Sequence, residues 1–323
     1  MKFQRNVIAS SPSTQTTVRV FAPGGIGNLG PGIDILGCAL TGPGDTVVAR
    51  IDSSPGVRVE ESGHPDLSSD PTRHASAIAA QEVLRRAGRG EGIILRLIKG
   101  LPLAGGQGGS AASAAAGAVA ANALLDNPLA PEELLYASLV AEERLAGRHI
   151  DNLAPALFGG ALLIRSIEPL RYESLPVPAA LRVALVHPEM RLRTAEARAV
   201  LPATIDRTTA LAQATAVASI VAAFYSGDLS RLRGAIDDRI AEPARAPLLP
   251  GFMDAKRAAL DTGALGCSIS GGGPSAFALC DSDSCAEQVT RAMIAAYEKA
   301  GVHATGRVAQ IDTKGTRIED ATE

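Results

Sequence analysis

Pro102-Leu103-Ala104-Gly105-Gly106-Gln107-Gly108-Gly109-Ser110-Ala111-Ala112-Ser113 runs directly into Ala114-Ala115-Ala116-Gly117-Ala118. A glycine-rich loop meets an alanine-rich helix former. Glycines let successive backbone N–H groups converge, and a helix start leaves its first N–H groups without intrahelical partners. Together they make an anion cradle, and phosphate is the commonest biological anion that needs one. The loop contains no lysine followed by Ser or Thr, which separates it from the P-loop. By itself the stretch reads equally well as a glycine-rich helix start without a ligand.

Composition narrows the classes. The chain has 323 residues, 46% of them hydrophobic, enough for one large or two medium domains with a substantial core. Aromatic residues are 3% and Trp is absent, which argues against stacking platforms for single-stranded nucleic acid. The formal charge is -3, so no basic field points to nucleic acid or an anionic membrane. Cys38, Cys267, Cys280 and Cys285 form neither a CxxC pair nor a zinc pattern, and free structural thiols are expected. No h-region opens the sequence, and no segment reads as an uninterrupted membrane span. The expectation is a cytoplasmic protein with a loose, Ser/Thr-rich tail over 1–16.

The local patterns predict strands at 18–21, 45–51, 56–60, 92–98 and 159–164, and helices at 74–87, 110–125 and 131–146. Residues 22–34 read as a loop dense in breakers. Three prolines between 166 and 178 mark a crossing into a second domain. There, strands are expected at 181–186, 267–270, 276–280 and 306–311. Helices are expected at 194–199, 208–225, 229–239, 251–261 and 284–300. The class is α+β, with the domains at 17–172 and 173–323.

Two further glycine-rich segments matter. Pro23-Gly-Gly-Ile-Gly-Asn-Leu-Gly-Pro-Gly-Ile-Asp34 carries Asn28 and Asp34 as directional polar groups, and Ser270-Gly-Gly-Gly-Pro-Ser275 lies between two short strands. Read singly, one is a surface loop with an Asx turn and the other a tight hairpin turn. Jointly, the three segments resemble the three signature motifs of the GHMP small-molecule kinases, the family of galactokinase, homoserine kinase, mevalonate kinase and phosphomevalonate kinase. The likeness is nearest to the homoserine kinase branch. Asn28-Leu-Gly-Pro-Gly-Ile-Asp-Ile-Leu-Gly37, His149-Ile-Asp-Asn-Leu-Ala-Pro155, Thr194-Ala-Glu-Ala-Arg-Ala-Val-Leu-Pro202 and Pro243-Ala-Arg-Ala-Pro-Leu-Leu-Pro-Gly251 all fit it. The resemblance covers about residues 18–315.

That resemblance implies the GHMP kinase fold: an N-terminal ribosomal protein S5 domain 2-like domain and a C-terminal ferredoxin-like α/β sandwich. It implies ATP and Mg2+ as cofactors and L-homoserine as the small-molecule partner, with a homodimer as the assembly to test and no nucleic acid or membrane involved. The loop from Pro102 to Ser113 would bind the nucleotide. Ser110 and Glu142 would hold the metal, and Thr194 would lie near the phosphates. Asn28, Asp34, His149, Asn152, Arg198 and Arg245 would bind the amino acid. Arg245 is preferred over Arg239 because its segment matches better. Asn28 and Asp34 also join Ser110, Glu142 and Thr194 in the catalytic set. His149 and Asp34 are both conceivable bases, while the family resemblance suggests electrostatic stabilisation without one. Asp34 is therefore given substrate orientation, with activation of the hydroxyl as a further role to test.

The chain departs from the family pattern in three places. Gln107 and Gly109 stand where Gly-Leu-Gly-Ser-Ser has leucine and its first serine. The segment between Gly147 and His149 is one residue shorter. Rival readings are a related kinase acting on mevalonate or a sugar, and a catalytically silent small-molecule-binding relative. A dinucleotide oxidoreductase fits less well, because the glycines lack the Gly-x-Gly-x-x-Gly strand–helix context.

Overall fold

A computed structural model describes residues 16–90 and 92–319. The tail expected over 1–16 lies, except for Thr16, outside them. Two layered units share the chain. The first contains β1 (Thr17–Gly27), β2 (Leu36–Asp52), β3 (Gly56–Glu61), α1 (Ala75–Arg86), β4 (Gly92–Ile98), α2 (Gly109–Ala123), α3 (Pro131–Leu145), α4 (Leu153–Phe158), β5 (Ala161–Ser166) and β6 (Arg171–Leu175). The second contains β7 (Arg182–Pro188), α5 (Thr194–Ala199), α6 (Arg207–Ser226), α7 (Ala241–Arg245), α8 (Phe252–Asp261), β8 (Gly266–Ile269), β9 (Ala276–Cys280), α9 (Asp283–Lys299) and β10 (Ala304–Ala309). The chain then returns to the first sheet as β11 (Arg317–Glu319), antiparallel to β1. The 172/173 divide drawn from the sequence falls inside β6, which pairs with β5.

The breaker-rich loop expected at 22–34 begins later than its glycines suggest. β1 continues through Pro23-Gly24-Gly25, paired with β2 across a bulge. A Cβ on Gly25 would lie 2.3 Å from the Cys38 carbonyl oxygen, so only glycine lets the two backbones approach this closely. β2 is likewise longer than the 45–51 expected. It changes partner at Gly42-Pro43-Gly44, pairing with β5 on one side and β4 on the other. This long β1–β2 ribbon carries Ile26, Leu36 and Leu40 into the core beneath the second sheet. Residues 28–34 consequently turn between the two units.

α2 is apolar on all sides and buried almost throughout, enclosed by α1, α3, β1 and β2. Its small side chains allow this. A Cβ on Gly117 would stand 2.3 Å from the Ser76 carbonyl oxygen of α1. Gly108, at φ 69°, caps α2 in the left-handed region where glycine is favoured.

The second sheet runs in the order β10-β7-β9-β8, the arrangement of a ferredoxin-like split βαβ unit. Its strands alternate as period 2 requires. Val183, Leu185, Phe277 and Leu279 face α6 and the β1–β2 ribbon, whereas Ala184, Val186, Ala276 and Ala278 face α8 and α9. The helix expected at 229–239 reduces to one 3-10 turn at Leu229–Leu232. Instead, Asp238 accepts backbone N–H groups from Ile240, Ala241 and Glu242 and starts α7. α6 is long and apolar enough to cross a membrane by length and composition, a property the sequence reading did not assign it. It carries a buried Gln213 that donates to Pro31 O and Asp238 Oδ1. The four cysteines are free, as expected.

Candidate active site

Seven segments converge on one cavity of about 650 Å³ between the units. The β1–β2 turn supplies Asn28 and Asp34, and the β4–α2 loop supplies most of 102–113. Glu142 comes from α3, His149 and Asn152 from the turn before α4, Thr194 and Arg198 from α5, and Arg245 from α7. The β8–β9 turn closes it with Gly271 to Gly273. All eight expected functional side chains outside the 102–113 loop, and Ser110 within it, therefore line the same space. Three members of the expected nucleotide loop do not: Gln107, Ala111 and Ala112. The two alanines sit in the N-terminal core, and Gln107 is buried, donating to Ser275 Oγ at 3.2 Å.

The glycine loop is held from below by its own carbonyls. Ser275 Oγ donates to Gly105 O and Ser270 Oγ to Gly106 O, each at 2.6 Å. Gly25 N donates to Gln107 O at 3.0 Å. With those carbonyls engaged by the first and third glycine segments, the positive end of α2 opens on the cavity through Gly108, Gly109 and Ser110, where a helix start leaves N–H groups without intrahelical acceptors.

Asn28 is held by three hydrogen bonds. Its N–H donates to Asp151 Oδ2 and its Nδ2 to Gly271 O, both at 3.0 Å, while its Oδ1 accepts from Asp34 N at 3.1 Å. Asn28 (φ 68°) and Asp34 (φ 60°) are both left-handed, a strain of the kind that clusters at functional sites. Asp34 forms a bidentate pair with Arg198, at 2.6 Å to Oδ1 and 3.2 Å to Oδ2. Arg245 is 4% exposed and donates to Ala197 O and Gly271 O. Arg239, the competing arginine, pairs with Asp237 at the surface instead.

Glu142 is 1% exposed and its Oε1 has no hydrogen-bond partner. Burial raises its pKa, opposed by His149 and Ser110. The adjacent Glu143 faces the surface and pairs with Arg148, as the 100° step of a helix requires. Burial disfavours charge on His149, but Asp151 and Glu142 outweigh it and raise the imidazole pKa. His149 Nδ1 lies 3.4 Å from Asp151 Oδ1, an ion-pair separation without hydrogen-bond alignment. Among the described residues no group of three or more His, Cys, Asp or Glu forms a self-sufficient metal cage. A magnesium ion completed by phosphates and water needs only one or two protein oxygens, and the unpartnered Glu142 oxygen beside Ser110 fits that.

Sequence reading missed two charged groups here. Asp151 lies inside the quoted His149–Pro155 segment, but only its contact with the Asn28 N–H reveals its role. Lys99 lines the cavity three residues before Pro102, its side chain 5% exposed and paired with the buried Asp45.

Comparison with known proteins follows the same lines. The family model described as GHMP kinases N terminal domain matches residues 74–160, and that described as GHMP kinases C terminal matches 220–299. A homoserine kinase of Chlorobium phaeobacteroides is 42% identical over 294 residues, covering 87% of this chain and 92% of that protein. A homoserine kinase of Arabidopsis thaliana is 41% identical over 314 residues, covering 94% and 84% respectively. The crystal structure of homoserine kinase from Cytophaga hutchinsonii superposes with a TM-score of 0.92 at 38% identity, covering 96% of this chain and all of that one.

Proposed function

This chain belongs to the GHMP kinase family, and we propose on that premise that it transfers the γ-phosphoryl group of ATP to the side-chain hydroxyl of L-homoserine. The products are ADP and O-phospho-L-homoserine, a step towards threonine. One observation carries this reading. The anion cradle of the 102–110 loop and the arginine pair Arg198 and Arg245 open onto the same cavity. A molecule bound between them presents a hydroxyl to a phosphate held by backbone N–H groups.

Phosphoryl transfer asks mainly for positioning and for stabilisation of spreading negative charge. The loop N–H groups and the positive end of α2 would hold the nucleotide phosphates. Ser110 and Glu142 would hold Mg2+, which when bound neutralises charge on the transferring phosphoryl. Thr194 lines the cavity and would lie near the phosphates. The amino acid brings a carboxylate and an ammonium to the Asp34–Arg198 pair. Its carboxylate would take the Arg198 and Arg245 guanidiniums, which grip such groups bidentately, and its ammonium would take Asp34. Asn28 and Asn152 would orient the hydroxyl.

We assign this reaction no general base. Both oxygens of the Asp34 carboxylate accept from Arg198, which leaves it placed to orient a substrate. His149 is biased towards its cationic form, which favours stabilising developing charge over accepting a proton. We further place the protein in the cytoplasm, as a homodimer that acts on small molecules and neither nucleic acid nor membrane. Steady-state turnover with ATP against homoserine, serine, threonine, mevalonate and galactose tests the assignment. The highest kcat/KM belongs to homoserine; turnover confined to mevalonate or galactose overturns it.

A further inference from the structure

Gly109 replaces a serine of the family motif, yet the space at its Cα is occupied. A Cβ built there would lie 2.9 Å from Lys99 Nζ, closer than side chains normally approach. Lys99 follows β4, and its ammonium reaches the first turn of α2, donating to Gly109 O at 3.1 Å. Its other partner is Asp45, which is fully buried. Asp45 is itself well served: Oδ1 accepts from Gly100 N and Leu101 N at 3.2 Å, and Oδ2 accepts from Ser113 Oγ at 2.5 Å. An ammonium has three N–H donors, and these two contacts account for two.

We propose that Lys99 is a phosphate-binding residue of this kinase, its ammonium seated in the cradle because Gly109 carries no side chain. The inference rests on the kinase reading above and deepens it. The cation that a P-loop takes from within its own glycine run arrives here from the strand before it. Asp45 acts as the anchor that aims the ammonium, and the two backbone N–H groups and the hydroxyl on Asp45 keep that anchor in place when phosphate draws on the lysine. Where the family motif places a serine hydroxyl, this chain places the Lys99 ammonium, a point charge with three donors.

Calorimetric titration of the full chain with ADP tests this, with melting curves alongside. Lys99→Met weakens ADP about tenfold or more, the scale of a hydrogen bond to a charged group. Gly109→Ala adds only the Cβ that displaces Nζ, so it weakens ADP several-fold in the wild-type background and has no further effect beside Lys99→Met. Gly109→Ala asks only the flexible end of one side chain to move, so it remains informative if Lys99→Met fails to fold. Wild-type ADP affinity in Gly109→Ala, or equal losses from it in both backgrounds, overturns the role of Lys99. A lowered melting temperature with unchanged ADP affinity in Lys99→Met reduces the lysine to a structural partner of Asp45 and also overturns it. A wild-type chain that binds no ADP overturns the kinase reading itself, and is distinguished from the other outcomes by that control.

Discussion

Asp34 and Arg198 hold each other across the gap between the two units, and that contact is where an amino-acid substrate would enter. Both side chains are about a third or more exposed, so the pair adds little to stability. Asp34→Asn is expected to lower kcat/KM for homoserine roughly 100-fold, as misplacement of a reacting group does, while the melting transition stays put. Near-wild-type turnover would remove Asp34 from the site. Glu142 gives a pH prediction. Burial raises its folded pKa above the ordinary 4.5, and only the ionised carboxylate serves a cation. Falling pH therefore protonates it while ordinary carboxylates are still charged. The acid limb of kcat/KM for ATP should lie above pH 4.5; a limb at or below that value contradicts the role. At this scale the motifs led to side chains that line one cavity, but not to every charged group in it. Lys99 and Asp151 escaped because their significance lies in partners far along the chain, Asp45 and Asn28.

Among the elements, α2 carries most of the proposed phosphate site, since Gly109, Ser110 and Ser113 of its first turns line the cavity. Its alanine run was legible as a helix, and its glycine–alanine composition is explained by enclosure on every side. Gly117→Val would drive two methyl groups against the Ser76 backbone of α1. We expect a loss of about 1–3 kcal/mol from overpacking, read as a lower urea midpoint; an unchanged midpoint would mean that α1 and α2 separate freely. Other elements were misread for physical reasons. The glycines of 23–27 signal a loop by composition but serve close strand approach in β1. The arginine-rich 229–239 segment looked helical, yet Asp238 draws three consecutive backbone N–H groups to itself and ends that option.

For the whole molecule, the cavity exists because the chain weaves between its units. The β1–β2 ribbon reaches under the second sheet, and β11 returns to the first. No local pattern announces such long-range pairing, so the exchange of strands was not visible in the sequence, and the divide drawn at 172/173 falls inside a strand of the first sheet. The layered α+β class and the convergence of three glycine segments were legible because each segment has its own chemistry. Their union at one cavity is what makes phosphoryl transfer the central claim. Phosphorus NMR of the purified chain with ATP, Mg2+ and L-homoserine tests it most directly. The account predicts ADP together with a new phosphomonoester resonance on the homoserine side-chain oxygen, dependent on both homoserine and enzyme. Intact ATP, or ATP hydrolysed to inorganic phosphate with homoserine unmodified, would contradict it.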